Sequence, residues 1–274
     1  MRSADCTAFL QKALPRLHLR WEGFRRVRRQ VCRRLDRRLR ALGLDSLDAY
    51  QEQLERHPEE WEVLDSLCRV TISRFWRDRA VFEALGARLL PELAALARVR
   101  GDADLRAWSV GCASGEEPWS LALLWHLELG TRFPELGLRV VGTDADAQLL
   151  ERASQAVYPG SSLRELPARL RAHAFEMADD THRLRADLRT GVDFRREDVR
   201  RQAPVDRGPF HLVLCRNLAF TYFDAHVQRE VLERIANTLV PHGALVVGTH
   251  ERLPCDAPRF EPDPDLRGAY RLSG

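Results

Sequence analysis

Residues 105–120 read LRAWSVGCASGEEPWS, and the fold turns on this stretch. An apolar run from Leu105 to Val110 stops at Gly111, passes through small residues to Gly115 and opens onto a helical pattern. A strand, a glycine-bearing loop and a helix N-terminus in that order cradle a nucleotide-like ligand, because free backbone N–H groups gather at the helix start. A second apolar strand, residues 138–143, runs into Asp144 and Asp146, where a carboxylate can accept hydrogen bonds from ribose hydroxyls. The loop is Gly111-x-x-x-Gly115 and lacks the third glycine of a dinucleotide fingerprint. Its acidic pair, Glu116-Glu117, repels a pyrophosphate placed at that helix start and suits a cationic, hydroxyl-rich ligand. S-adenosylmethionine carries a sulfonium, an ammonium and a ribose but no phosphate. The loop therefore favours a methyl donor over NAD or ATP.

Composition sets the outer bounds. A chain of 274 residues has room for one large core, or for a core and a small satellite domain. With 45% hydrophobic and 30% charged residues it reads as globular. No apolar run approaches the roughly 20 residues that span a bilayer, and the N-terminal segment lacks the apolar stretch of a secretory signal. Membrane insertion is not expected. The six cysteines are dispersed, with no CxxC pair, which is the usage expected of reduced thiols in a cytoplasm, and nothing supports a metal site. A net charge of +3 does not argue for nucleic acid. Lys12 is the only lysine, so arginine abundance reflects a compositional bias and only arginine placement is informative.

Residues 1–98 read as a helical domain, with an α/β domain following over 99–274. The clearest helix is expected over residues 21–42, where Phe24, Val27, Val31, Leu35, Leu39 and Leu42 form one apolar stripe. Arg26, Arg29, Arg33, Arg37 and Arg40 share the opposite side. That stripe is either a solvated face or a docking surface for an acidic partner. From residue 105 onward strand and helix patterns alternate, which argues for a mostly parallel sheet with helices on both faces. Strands are expected at 105–110, 138–143, 192–194, 210–215 and 244–249, with a final pair near Phe260 and at 269–272. Helices are expected at 117–129, 147–157, 163–174 and 226–239, and residues 177–190 as a charged, irregular excursion.

At this level of detail the chain resembles the CheR-type chemoreceptor glutamate methyltransferases. The matching blocks are RRLRALGL, TISRFWRD, AWSVGCASGEEPWSLALL, VVGTDADAQLLERA with VYP, and FHLVLCRNLAFTYFD, in family order across roughly residues 15–272. The resemblance implies a Rossmann-like class I methyltransferase sheet behind a small all-α N-terminal domain. It implies S-adenosylmethionine as methyl donor, S-adenosylhomocysteine as product, and a monomeric cytoplasmic enzyme forming methyl esters on an acidic receptor helix, with the arginine stripe as its dock. By motif, Thr71, Ser73, Arg77, Gly111, Glu117, Asp144, Asp198, Val199, Arg216 and Asn217 correspond to methyl-donor contacts. Arg77 and Tyr222 correspond to the catalytic pair. Thr71 and Asp198 stand where the family often has asparagine, and the spacing from Asn217 to Tyr222 is one residue longer than usual. That spacing and the short segment 175–192, where the family tethers receptors, keep a second reading open, the same catalyst acting on another protein or on a small-molecule carboxylate or hydroxyl. Against a third, a donor-binding adaptor without turnover, stand the intact Arg77, Glu117, Asp144 and Asn217. An ionised carboxylate acceptor needs no general base, which agrees with the lack of a catalytic dyad.

Overall fold

The computed structural model describes residues 3–255 and 257–274, which form two compact units. The first holds residues up to Thr71 together with Thr221–Gln228, and the second holds Ile72–Phe220 with Arg229–Gly274.

The first unit is helical: α1 (Ser3–Ala13), α2 (Trp21–Phe24), α3 (Arg28–Ala41), α4 (Leu47–Arg56) and α5 (Glu60–Cys68). The single helix expected over 21–42 is broken, because the chain leaves helical hydrogen bonding at residues 25–27 and resumes at Arg28. Val31, Leu35 and Leu39 bury one face of α3, while Arg29, Arg33, Arg37 and Arg40 are exposed. Gly43, at φ +67°, ends this helix: Leu44 N–H donates to Leu39 O at 3.0 Å and Gly43 N–H to Arg40 O at 3.2 Å. That pairing satisfies carbonyls the helix end would otherwise orphan. Two other arginines of α3 fasten it to α5. Arg38 holds the buried Glu60 with Nε–Oε1 at 2.9 Å and Nη2–Oε2 at 2.5 Å, and Tyr50 Oη donates to Glu60 Oε1 at 2.7 Å. Arg34 donates to the carbonyls of Leu67 and Arg69. Cys6 and Cys32 form a disulfide between α1 and α3, with Cα atoms 6.1 Å apart. The expectation of uniformly reduced thiols is corrected there: helix packing brings together two cysteines 26 residues apart in sequence. A backbone strap completes the unit, with Leu19 bridged to Phe223 and Arg20 N–H donating to Tyr222 O at 2.9 Å.

The second unit begins with α6 (Arg79–Ala84) and α7 (Leu90–Arg100), joined through a π-helical turn at Leu85–Leu89. Leu85, Leu89, Leu93 and Ala97 share one apolar core with Trp119, Leu121, Leu212 and Val246. Residues 72–98 thus pack with the α/β unit, whereas the sequence groups them with the helical domain. Next come β1 (Asp104–Val110), α8 (Glu116–Leu124), β2 (Gly137–Asp144), α9 (Ala147–Gln155), β3 (Val157–Pro159), α10 (Ala168–Ala174), β4 (Phe175–Ala178), β5 (Thr181–Leu184), β6 (Val192–Arg196) and β7 (Phe210–Cys215). After α11 (Ala219–Tyr222) and α12 (Ala225–Ala236) follow β8 (Leu239–Val247), β9 (Phe260–Pro262) and β10 (Ala269–Leu272). The main sheet runs β6-β2-β1-β7-β8-β10-β9. Its first five strands are parallel, and β10 pairs antiparallel with both β8 and β9. All six residues of β7 are buried, as a central parallel strand requires.

Two boundaries move. β8 starts at Leu239, ahead of the turn expected before Ala244, and its register against β7 shifts between Phe210 and Leu212 to absorb the extra residues. The segment expected to be irregular instead pairs into an antiparallel sheet of order β3-β5-β4. Tyr158 of β3 and Phe175 of β4 each meet the Phe75 ring edge-on, with centroids 4.8 and 5.2 Å away.

Candidate active site

The carboxyl ends of β6, β2, β1 and β7 lie side by side, which is where open α/β sheets bind ligands. Glycine is obligatory at two points of the β1–α8 loop. Gly111 has φ +66°, and a Cβ there would lie 2.5 Å from Leu218 Cδ2. Gly115 has φ +84°, and a Cβ would lie 2.7 Å from the Ala153 Cβ. Asp144, at the end of β2, fastens this loop to the next: Oδ2 accepts Ala113 N–H and Oδ1 accepts Asp146 N–H, each at 2.9 Å. The side chain stays partly open to solvent.

A chain of ionic hydrogen bonds crosses the strand ends. Ser109 Oγ donates to Glu117 Oε1 at 2.7 Å, and Arg216 Nη1 donates to Glu117 Oε2 at 2.8 Å. Arg216 Nη2 donates to Asp78 Oδ2 and to Arg77 O, each at 2.7 Å. The Arg216 side chain is 2% exposed and its Cζ lies 5.5 Å from the Phe82 ring centroid. A buried guanidinium at this depth is tolerable only because two carboxylates neutralise it.

Residues 72–78 form the facing loop, in which Trp76 and Asp78 adopt left-handed φ of 60° and 61°. Such conformations cost about 1–3 kcal/mol each and persist where neighbours over-determine them. Here Trp76 N–H donates to Ser120 Oγ at 3.0 Å, and Arg216 grips Asp78 and the Arg77 carbonyl. Ser73 lies in the same loop, and the buried Glu116 accepts Ser114 Oγ through Oε1 at 3.1 Å. Burial pushes the Glu116 carboxyl above its ordinary range. Arg77 Nη1 donates to Ile72 O at 2.6 Å, which fixes the base of its fork.

Asn217 is left-handed as well, at φ 57°, with its N–H donated to Glu251 Oε2 at 2.7 Å. At the β6 end Asp198 accepts Arg200 through N, Nε and Nη2 at 3.0, 3.0 and 2.6 Å, while Val199 is buried. The second unit therefore brings together Ser73, Arg77, Gly111, Glu117, Asp144, Asp198, Val199, Arg216 and Asn217 at neighbouring strand ends and the loop tied to them. Thr71 and Tyr222 belong to the first unit, where Tyr222 packs on Phe24 with centroids 5.1 Å apart. Their roles rest on the motif alone.

Asp78, Ser109, Ser114, Ser120 and Glu251 are part of this network and are not among the residues the sequence singles out. Asp78 closes the TISRFWRD block directly after Arg77; Ser109, Ser114 and Ser120 fall within AWSVGCASGEEPWSLALL, and Glu251 lies outside every block. Burial also pushes the Cys112 thiol far up, which disfavours its thiolate. Among the described residues no cluster of His, Cys, Asp or Glu is arranged to hold a metal.

Two buried polar atoms here, Arg216 Nε and Glu116 Oε2, have no hydrogen-bond partner. Orphan groups of both signs beside Asp144 and Glu117 fit a ligand that offers a carboxylate, an ammonium and ribose hydroxyls together. S-adenosylmethionine has that set.

Comparison with known proteins agrees. A family model described as "CheR methyltransferase, SAM binding domain" matches residues 71–264, and one described as "CheR methyltransferase, all-alpha domain" matches 27–65. A chemotaxis protein methyltransferase of Escherichia coli K12 is 32% identical over 90% of this chain and 83% of its own length. Chemotaxis protein methyltransferase 2 of Pseudomonas aeruginosa is 33% identical over 81% of this chain and 77% of its own. Solved structures align more distantly; the N-methyltransferase NodS from Bradyrhizobium japonicum WM9 has a TM-score of 0.37 at 13% identity, over 70% of this chain and 97% of that one.

Proposed function

Since this chain belongs to the CheR methyltransferase family, we propose that it methylates glutamate side chains on the acidic cytoplasmic helix of a chemoreceptor-like protein. S-adenosylmethionine supplies the methyl group and leaves as S-adenosylhomocysteine. In this reading the enzyme works as a monomer in the cytoplasm, and the two units divide the labour between docking and chemistry.

The observation that carries the acceptor assignment is the outer face of α3. Arg29, Arg33 and Arg37 are exposed with no ion-pair partner among the described residues, and Arg26 extends the row in the turn before the helix. Arg40 is less available, since its Nη2 holds Asp36 at 2.5 Å. Unpaired guanidinium groups at one-turn spacing match carboxylates repeated on an acidic helix.

Chemistry then needs placement more than proton transfer. A glutamate is ionised at neutral pH and attacks the methyl carbon without a base. Arg77 orients that carboxylate with the donors its bond to Ile72 O leaves free, and the buried Arg216–Asp78–Glu117 chain keeps the Arg77 loop fixed. Preset geometry of this kind replaces the entropy cost of aligning two reactants. Glu117, Asp144, Asn217, Arg216 and Ser73 hold the methionine and ribose portions, Asp198 and Val199 face the adenine, and Gly111 admits the ligand close to the backbone. Thr71 and Tyr222 complete the set by motif.

The test is transfer of a labelled methyl group to a receptor cytoplasmic fragment. Base-labile label on the fragment supports the reading, and none sinks it. Arg33→Glu with Arg37→Glu should raise the KM for the fragment about tenfold at low salt and leave the KM for S-adenosylmethionine unchanged. An unchanged fragment KM would remove the docking role from α3.

A further inference from the structure

We propose that Glu251 is a positioning residue for methyl-donor binding: a single carboxylate oxygen clamps the ends of β7 and β8 and sets Asn217 in its left-handed conformation. The inference rests on the reading of Asn217 as a methyl-donor contact. Glu251 is 7% exposed. Its Oε2 accepts two backbone N–H groups, those of Asn217 and of Gly248, each at 2.7 Å. Charge-assisted bonds of this length are the strong kind. The carboxylate is itself held in place, because Glu251 N–H donates to Gly248 O at 2.8 Å and closes a tight turn after β8.

Local sterics give the same answer. A Cβ on Gly248 would lie 2.8 Å from Glu251 Oε2 and 3.1 Å from Asn217 Oδ1. Glycine at 248 leaves the space that the carboxylate and the Asn217 amide fill together. Asn217 sits at φ 57°, which few non-glycine residues adopt unaided. Without an acceptor for its N–H, the residue relaxes to an ordinary conformation and its side chain swings away from the strand end. Arg216, the residue before it, bridges Glu117 and Asp78, so displacement at 217 strains that chain too. Glu251 acts through Asn217 and touches neither reacting group.

Four substitutions separate this role from a general structural one. Glu251→Gln keeps a carbonyl oxygen that can accept both N–H groups, so its KM for S-adenosylmethionine should stay within about threefold of the parent. Glu251→Asp keeps the charge and shortens the reach, so KM should rise roughly tenfold, as in Glu251→Ala, with kcat reduced far less. Asn217→Ala should match that rise, and Asn217→Ala combined with Glu251→Ala should be no worse than Asn217→Ala alone. The Asn217 amide proton, followed by hydrogen exchange, should lose protection in Glu251→Asp and retain it in Glu251→Gln. If Asn217→Ala raises KM while Glu251→Asp does not, or if the two effects multiply in the double variant, the positioning role is overturned. If Asn217→Ala leaves KM unchanged, the reading of Asn217 itself fails, whatever the amide reports.

Discussion

Arg216 joins three pieces of chain that lie far apart in sequence: Ser109–Glu117, Arg77–Asp78 and its own strand end. It does so with two nitrogens of one planar fork, which a single ammonium cannot imitate. Arg216→Lys should keep the charge and still lower kcat/KM at least about tenfold, or ~1.4 kcal/mol of transition-state stabilisation. Steady-state kinetics on the receptor fragment reads this directly; parity between Arg216→Lys and the parent would show that the chain of bonds is not needed. At this scale legibility was uneven. Gly111, Glu117, Asp144 and Arg216 could be picked out because they sit inside contiguous motifs at strand ends. Ser109 and Asp78 lie inside those motifs too, yet their roles, like that of Glu251, could not be read, since their meaning lies in partners 8, 138 and 34 positions away. Nothing in local pattern encodes a contact of that kind.

Among elements, α3 shows what periodicity reveals and what it hides. Its apolar row and its outer arginines were readable from spacing, yet Arg34 and Arg38 lie on the flanks and serve as partly buried braces. The break before α3 was not readable either, because 25–27 continues the helical pattern. The short antiparallel strands β3, β4 and β5 escaped for a related reason: three or four residues are too few to display alternation. The neighbouring α2 offers a quantitative test. Gly23 lies within it, where alanine would ordinarily gain up to about 1 kcal/mol of helix propensity. A Cβ there, however, would sit 2.3 Å from Thr221 O, a backbone atom held by the strap to Arg20. Forced overpacking costs about 1–3 kcal/mol, so the clash should win. Gly23→Ala is expected to lower the melting temperature by roughly 2–6 °C. A melting temperature equal to or above that of the parent would mean that the strap yields and is not a fixed part of the fold.

For the whole molecule, acid stability follows from which groups are buried in which protonation state. His211 is fully buried; Arg106 N–H donates to its Nδ1 at 3.1 Å, so its proton sits on Nε2 and is donated to Asp102 Oδ2 at 3.1 Å. Burial holds its pKa below the ordinary 6.5 despite the Asp102 carboxylate. The unfolded chain therefore takes up this proton first as pH falls. Stability should drop from about pH 6.5 downward until the folded imidazole also titrates, with a slope of up to ~1.4 kcal/mol per pH unit. Glu60 behaves differently. The Arg38 guanidinium holds its carboxyl below the usual 4.5, so its contribution is complete above that value and is lost only as pH falls through the lower folded one. Glu116 opposes both, since its raised carboxyl gives back stability on protonation. Loss from pH 6.5 downward is thus assigned to His211, and later loss to the paired carboxylates. His211→Gln, which retains an amide N–H for Asp102, should flatten the fall in melting temperature across the upper window and leave the fall below pH 4.5 in place. Equal slopes for parent and variant between pH 6.5 and 5 would show that this buried imidazole does not govern the acid response.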